Sequence, residues 1–325
     1  MLRAYGPDCH GEPIGGPSAD IPAHATWIDL ESPTVEEEAL VERKLGLGVP
    51  TREEMSEIEP SSRLYEKDNA LYMTLGALTG VEEGKPRVTP ISFLLTDSHL
   101  VTIRYATPKP FRLFGREAAD DPLITGSPIS TLLRLLDSIV ERLADELEEV
   151  GRQIDAISTE IFCNEDDARR IAARRLTALL SSIGRTQSLL ARIRETAVST
   201  ARLITFLDGS GKLDASNGER ARERIGSIAR DVTSLIDHSA FLADNLTFLL
   251  DASLGLISVE QNAAMKLFSW AALVFLPPTL IAGIYGMNFR VFPELSWPHG
   301  YPMALALMLA SAVLPMAYLK FRRWI

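Results

Sequence analysis

The sequence predicts a membrane protein of mixed α+β and all-α character. An N-terminal α/β domain leads into a helical hairpin, and a very long helix then continues into the first of two C-terminal membrane spans. Three observations predict this. Leu267 to Phe289 and Gly300 to Leu319 contain no Asp, Glu, Lys, Arg or His, and each is long enough to cross a hydrocarbon layer of roughly 30 Å as a helix rising about 1.5 Å per residue. Strand-like runs alternate with capped helices in the first third of the chain. From Ser130 onward apolar residues recur at helical spacing.

In chain order, residues 1–125 are expected to form the α/β domain. Ala25 to Leu30, Ala70 to Leu78, Pro90 to Thr96 and Leu100 to Tyr105 are rich in β-branched and aromatic residues and read as strands. Thr34-Val-Glu-Glu37 and Thr51-Arg-Glu-Glu54 place Glu three residues after Thr, a capping box that opens a helix. Residues 126–212 read as a helical hairpin whose first arm is acidic (Asp137, Glu141, Asp145, Glu146, Glu148, Glu149, Asp155). Its second arm is basic (Arg169, Arg170, Arg174, Arg175, Arg185, Arg192, Arg194), and Asn164 to Asp167 supply the turn. The charges suggest that the arms fold against each other, although exposed pairs contribute only about 0–1 kcal/mol each. Asp208-Gly-Ser-Gly-Lys212 lacks the spacing of a phosphate loop and reads as a polar connection.

The stretch 213–266 forms a stalk that enters the first span, 267–288. One helix from Asn217 to Met287 would reach roughly 105 Å. So long a rod cannot bury itself and implies partner copies around an axis. A short outer connection, 289–299, precedes the second span, 300–319, and a basic tail, 320–325. Pro277 and Pro278 remove two backbone donors, which predicts a local bend or loosening.

Flanking charge orients the spans. Lys266, Lys320, Arg322 and Arg323 mark a cytoplasmic side, whereas the connection holds only Arg290, Glu294 and His299. Trp270 and Trp324 would anchor the inner boundary, and Trp297 and Tyr301 the outer one. The N-terminus has no basic segment followed by an apolar core, so the large domain is expected in the cytoplasm. Membrane lipid is then one partner. The formal net charge of -10 argues against nucleic acid and suits a domain that meets cations. The two cysteines, Cys9 and Cys163, and the five scattered histidines match no zinc spacing. No nucleophile and base stand out as a pair, so no enzyme and no organic cofactor are expected.

The chemistry concentrates at the end of the first span, in Tyr285-Gly-Met-Asn-Phe289, followed by Pro293-Glu-Leu295, Trp297 and Gly300-Tyr-Pro302. This resembles the CorA magnesium transporter family, whose signature is Gly-Met-Asn followed by a Met-Pro-Glu-Leu loop. Glu260-Gln-Asn262, Phe275-Leu-Pro-Pro-Thr279, Trp27-Ile-Asp-Leu30 and the Arg-rich tail share in the resemblance; Phe292, where the loop usually has Met, departs from it. The physical case for the signature stands beside this. Mg2+ sheds water reluctantly, so a fast pathway should bind the hydrated ion. Asn288 offers a neutral side-chain acceptor, and Gly286 lets the chain turn and bare its carbonyls around Met287. A carboxylate ring in the pore would hold a divalent ion too firmly, whereas Glu294 in the outer loop only concentrates cations.

The resemblance implies a funnel-shaped homopentamer of the cell inner membrane, both termini cytoplasmic, passing hydrated Mg2+, and also Co2+ and Ni2+, inward down its gradient. It implies a pore lined by Asn262, Met265, Phe268, Leu276, Thr279, Gly283 and Asn288. From spacing alone, Met265, Phe268 and Leu276 fit lipid or helix contact equally well. It also implies closure by cytoplasmic Mg2+, for which Asp231 and Asp237 are the residues proposed, and an inner basic ring of Lys320, Arg322 and Arg323. No ionisable group in either span could relay protons. The alternatives are a zinc transporter of the same superfamily, against which the intact Gly-Met-Asn argues, and a membrane-tethered sensor that moves no ion.

Overall fold

The computed structural model describes residues 1–15, 20–57, 59–162, 173–214, 218–288, 293 and 297–322, without the side chains of 60, 173–176 and 214. Two compact units are distinguished, Met1–Leu250 and Asp251–Ile325.

The first unit is built on a sheet of β1 (Leu2–Gly6), β2 (Cys9–Ile14), β3 (Trp27–Glu31), β4 (Leu64–Lys67), β5 (Ala70–Thr79), β6 (Arg87–Leu95) and β7 (Leu100–Arg104), in the order β2-β1-β3-β7-β6-β5-β4. Neighbours are antiparallel except β3 and β7, which run parallel with Trp27 opposite Leu100 and Glu31 opposite Arg104. A parallel pair cannot be joined by a tight turn. The chain between these two strands accordingly holds α1 (Val35–Leu45), α2 (Arg52–Met55), α3 (Pro60–Arg63) and β4 to β6. The four strands expected from the sequence are present, and β1, β2 and β4 are additional.

Both capping boxes form. The Thr34 side chain accepts from Glu37 N, and the Glu37 carboxylate accepts from Thr34 N and from the chain's ammonium terminus at 2.9 Å. Thr51 and Glu54 repeat the reciprocal arrangement. Strand alternation then divides the buried side chains between the two faces of the sheet. Leu2, Ala4, Ile28, Leu30, Val101 and Ile103 pack with Val41 and Met55 of the short helices. On the opposite face Trp27 stacks on Tyr5 at 4.4 Å and meets Phe114 at 5.3 Å, while Phe93 meets Phe111 at 6.0 Å. Phe111 and Phe114 belong to α4 (Lys109–Asp120).

The hairpin arms are α5 (Pro128–Phe162) and α6 (Ala173–Gly209). Leu132, Leu136, Leu143, Val150 and Ile154 of α5 and Ile183, Leu190, Ile193, Ala197 and Leu203 of α6 are buried, so the hairpin is an apolar seam. Arg142 pairs with Glu146, Arg152 with Glu149 and Arg192 with Glu195, each within its own arm, and Asp137 pairs with Arg224 of the following helix. Helix surfaces bring residues three or four apart together, so such pairs form locally without the other arm. Asn164 to Asp167, Cys163, Arg169 and Arg170 lie outside the described residues. The 208–212 segment is a polar connection: Lys212 Nζ lies 2.8 Å from Asp97 Oδ1 and 3.0 Å from Asn69 Oδ1, so its ammonium is occupied by the sheet's own turns.

Helix α7 (Gly218–Tyr285) runs 68 residues without interruption and passes from the first unit into the second. Its helical backbone continues through Pro277 and Pro278. Helix α8 (Gly300–Phe321) follows. Both are long and apolar enough to cross a membrane, and only 0% and 6% of their apolar windows are buried inside the chain. A soluble core hairpin would bury these surfaces, whereas here they are exposed, as in a two-span membrane protein.

Candidate functional site

The site forms where α7 ends. Gly286 N still donates to Ala282 O at 2.9 Å, whereas Met287 N reaches back only to Ile284 O at 3.2 Å, so the last turn tightens and the helix stops. From the sequence, Gly286 is expected to allow a sharp turn. The structure gives it a different reason: a Cβ at 286 would stand 3.0 Å from Ala282 O, so the glycine allows the close backbone approach of this last turn. Asn288, two residues on, is exposed, and among the described residues its side chain makes no hydrogen bond. Its amide oxygen is therefore available as an acceptor.

Below it α7 carries a groove of about 640 Å³ lined by Leu276, Thr279, Gly283 and Met287, together with Ala272, Phe275, Leu280 and Ile284. The spacing of three and four residues places these on one helical face. Four of the groove residues, Ala272, Phe275, Leu280 and Ile284, are not among the pore residues expected from the sequence; the same periodicity extended from Leu276 and Thr279 reaches them. The Thr279 hydroxyl donates to Phe275 O at 2.6 Å. This occupies its proton and leaves its lone pairs to accept from a water molecule. Among the groove side chains it is the only one with an oxygen.

Asn262, Met265 and Phe268 lie on α7 before the groove and are exposed, Met265 at 66% and Phe268 at 69%. Exposure does not distinguish a pore from a lipid face here, because residues 259–272 are exposed throughout. Asp231 and Asp237 are also exposed, and among the described residues no group of three or more His, Cys, Asp or Glu could hold a metal ion. At the other membrane boundary Lys320 and Arg322 are exposed, with Arg322 over the Tyr318 ring at 5.8 Å. Trp270, Trp297 and Tyr301 present exposed rings, as interfacial anchors do. Glu294, Phe292, Arg290, Arg323 and Trp324 lie outside the described residues.

The family model described as CorA-like Mg2+ transporter protein matches residues 22–323. The chain belongs to this CorA family. Curated relatives agree. The chain is 33% identical over 303 residues to the magnesium transport protein CorA of Yersinia pseudotuberculosis, covering 93% of each chain. It is 33% identical over 302 residues to that of Escherichia coli K12, covering 93% of this chain and 92% of the relative. Among solved structures, the complete CorA magnesium transporter from Methanocaldococcus jannaschii superposes with a TM-score of 0.75 at 20% identity, covering 100% of this chain and 98% of that one. Full-length CmaX gives 0.69 at 16% identity, covering 99% and 97%. The ZntB cytoplasmic domain from Vibrio parahaemolyticus gives 0.52 at 14%, covering 70% and 86%. At these identities the structures establish a shared fold. CorA proteins are transporters, and the chain is accordingly a membrane transport protein rather than an enzyme.

Proposed function

We propose that the chain conducts hydrated Mg2+ across a membrane into the cytoplasm, along a path that one face of α7 lines and Asn288 caps. The observation that carries this reading is the uncommitted Asn288 side chain at the end of a groove with a single oxygen-bearing side chain. A strongly hydrated cation presents water protons outward, and neutral acceptors repeated around an axis can hold those waters without stripping them. The magnesium transport proteins that the chain resembles over nearly its full length support Mg2+ as the substrate.

One copy of α7 is a groove, and a conduit needs several. Phe241 at 63% and Val259 at 66% exposed leave apolar surface on α7 for neighbouring copies. A homopentamer with cytoplasmic termini is the assembly proposed, with Asn262, Met265 and Phe268 continuing the path inward. Glu294 would gather cations outside, and Lys320, Arg322 and Arg323 would ring the inner mouth. Closure by internal Mg2+ at Asp231 and Asp237 would require ligands from an adjacent subunit. The driving force needs no coupled ion, since an inside-negative potential contributes about 2.3 kcal/mol per unit charge per 100 mV, acting twice on Mg2+.

The test is Mg2+ entry into liposomes containing only this protein, at zero and at inside-negative potential, with Co2+, Ni2+ and Zn2+ as competitors. Entry that rises with the potential and is inhibited by Co2+ and Ni2+ supports the reading. Zn2+ flux in preference to Mg2+ would favour the zinc-transporting alternative, and absence of all flux would favour a sensor.

A further inference from the structure

The α4 face of the sheet carries a cavity of about 250 Å³ that the transport path does not use. Strand geometry builds it. Alternate residues share a face, so Arg3 and Tyr5 of β1, Asp29 and Glu31 of β3, and Arg104 of β7 stand together on three adjacent strands. Helix α4 closes over them with Arg112, Gly115 and Arg116.

The charges do not cancel. Arg104, 4% exposed, commits its donors to Asp29 at 2.8 and 3.1 Å, Glu31 at 3.0 Å and Ala106 O at 2.8 Å. Thr107 donates to the other Glu31 oxygen. Both carboxylates are thus engaged from within. Arg112 turns to Glu82 at 3.3 Å. Arg104 balances one of the two carboxylates, and two further cations line the cavity: Arg116 makes no ion pair or hydrogen bond among the described residues, and Arg3 donates to Met1 Sδ at 3.3 Å and Gly11 O at 3.4 Å while lying in the field of Glu31. Tyr5 is 3% exposed and fixed by its stack on Trp27. Its hydroxyl stands at the wall of the cavity beside Arg3. A Cβ at Gly115 would stand 3.2 Å from Tyr5 Oη, so glycine keeps the space beside that hydroxyl open.

We propose that this cavity binds a small oxyanion of the phosphate class, held by the guanidinium groups of Arg116 and Arg3 and by the Tyr5 hydroxyl. Guanidinium forks match the oxygens of a phosphate in pairs, and charge-assisted bonds of this kind are roughly twice as strong as neutral ones. The half-buried walls limit the screening that weakens exposed pairs.

The test is calorimetric titration of the full chain in detergent with inorganic phosphate and with diphosphate, Mg2+ having been chelated and ionic strength held constant with chloride. Saturable binding is expected, weakened at least about tenfold in Arg116→Gln. Arg116 is exposed, so that variant should fold, and an unchanged melting temperature would verify it. Arg3→Gln supplies an independent second variant with the same expected loss. Absence of saturable binding in the unmodified chain, or unmodified affinity in both variants, would overturn the proposal. Neither result depends on ion flux.

Discussion

Arg104 shows how this chain keeps a charge inside the α/β domain. Burial opposes its ionisation, yet attraction to Asp29 and hydrogen bonds to Asp29 and Glu31 outweigh that and raise its pKa. Glu31 answers in kind: burial acts to raise its pKa, but the bonds from Thr107 and Arg104 prevail and hold it below the usual carboxylate range. Thr102 completes the set, accepting from Trp27 Nε1 at 3.0 Å and donating to Asp29 at 2.7 Å. Removing one partner of a buried pair leaves the other charge uncompensated, at a cost of about 3–5 kcal/mol. Arg104→Met should therefore lower the unfolding midpoint of the α/β domain sharply, and Asp29→Leu in addition should restore part of the loss. Denaturant titration followed by Trp27 fluorescence measures both; an unchanged midpoint in Arg104→Met would contradict this account of the network.

Among the elements, α6 is joined to the sheet by a polar contact as well as by apolar packing. Gly76 of β5 stands opposite Pro90 of β6, and its N–H donates outward to Ser199 Oγ of α6 at 3.0 Å. Ser199→Ala would leave that donor without its partner where α6 covers the strand, costing about 1–3 kcal/mol. Faster exchange of the Gly76 amide and a lowered midpoint are expected, and unchanged exchange would show that another acceptor serves it. The same scale shows what the sequence reveals and what it hides. Both capping boxes were legible because Thr34, Glu37, Thr51 and Glu54 lie three apart and act locally. The strand β5, buried along its whole length, was legible as an apolar run. Strands β1 and β4 were not, since Leu2–Gly6 is short and includes Arg3, and Leu64–Lys67 is an edge ending in Glu66 and Lys67. Strand β2 contains Gly11 and Pro13, which weaken any strand signal. The cavity beside Arg116 was hidden for another reason: Arg3, Asp29, Arg104 and Arg116 are brought together by strand order, which no local pattern encodes.

At the scale of the whole molecule, the division of labour follows from what each surface can bury. The α/β domain and hairpin enclose their own apolar side chains, while α8 and the second half of α7 leave theirs exposed. Membership in the CorA family of membrane transporters is consistent with that exposure. The end of α7 at Tyr285 falls where consecutive residues, 285 to 289, place the proposed chemistry. The groove below was only half readable, since spacing gives a helical face but not what the face meets. Initial Mg2+ influx into liposomes by Asn288→Ala, compared with the unmodified chain at equal protein content and equal inside-negative potential, tests the central claim most directly. The account predicts a loss of about tenfold or more with the assembly intact, because each copy loses a neutral acceptor for the ion's water; influx equal to that of the unmodified chain would contradict it.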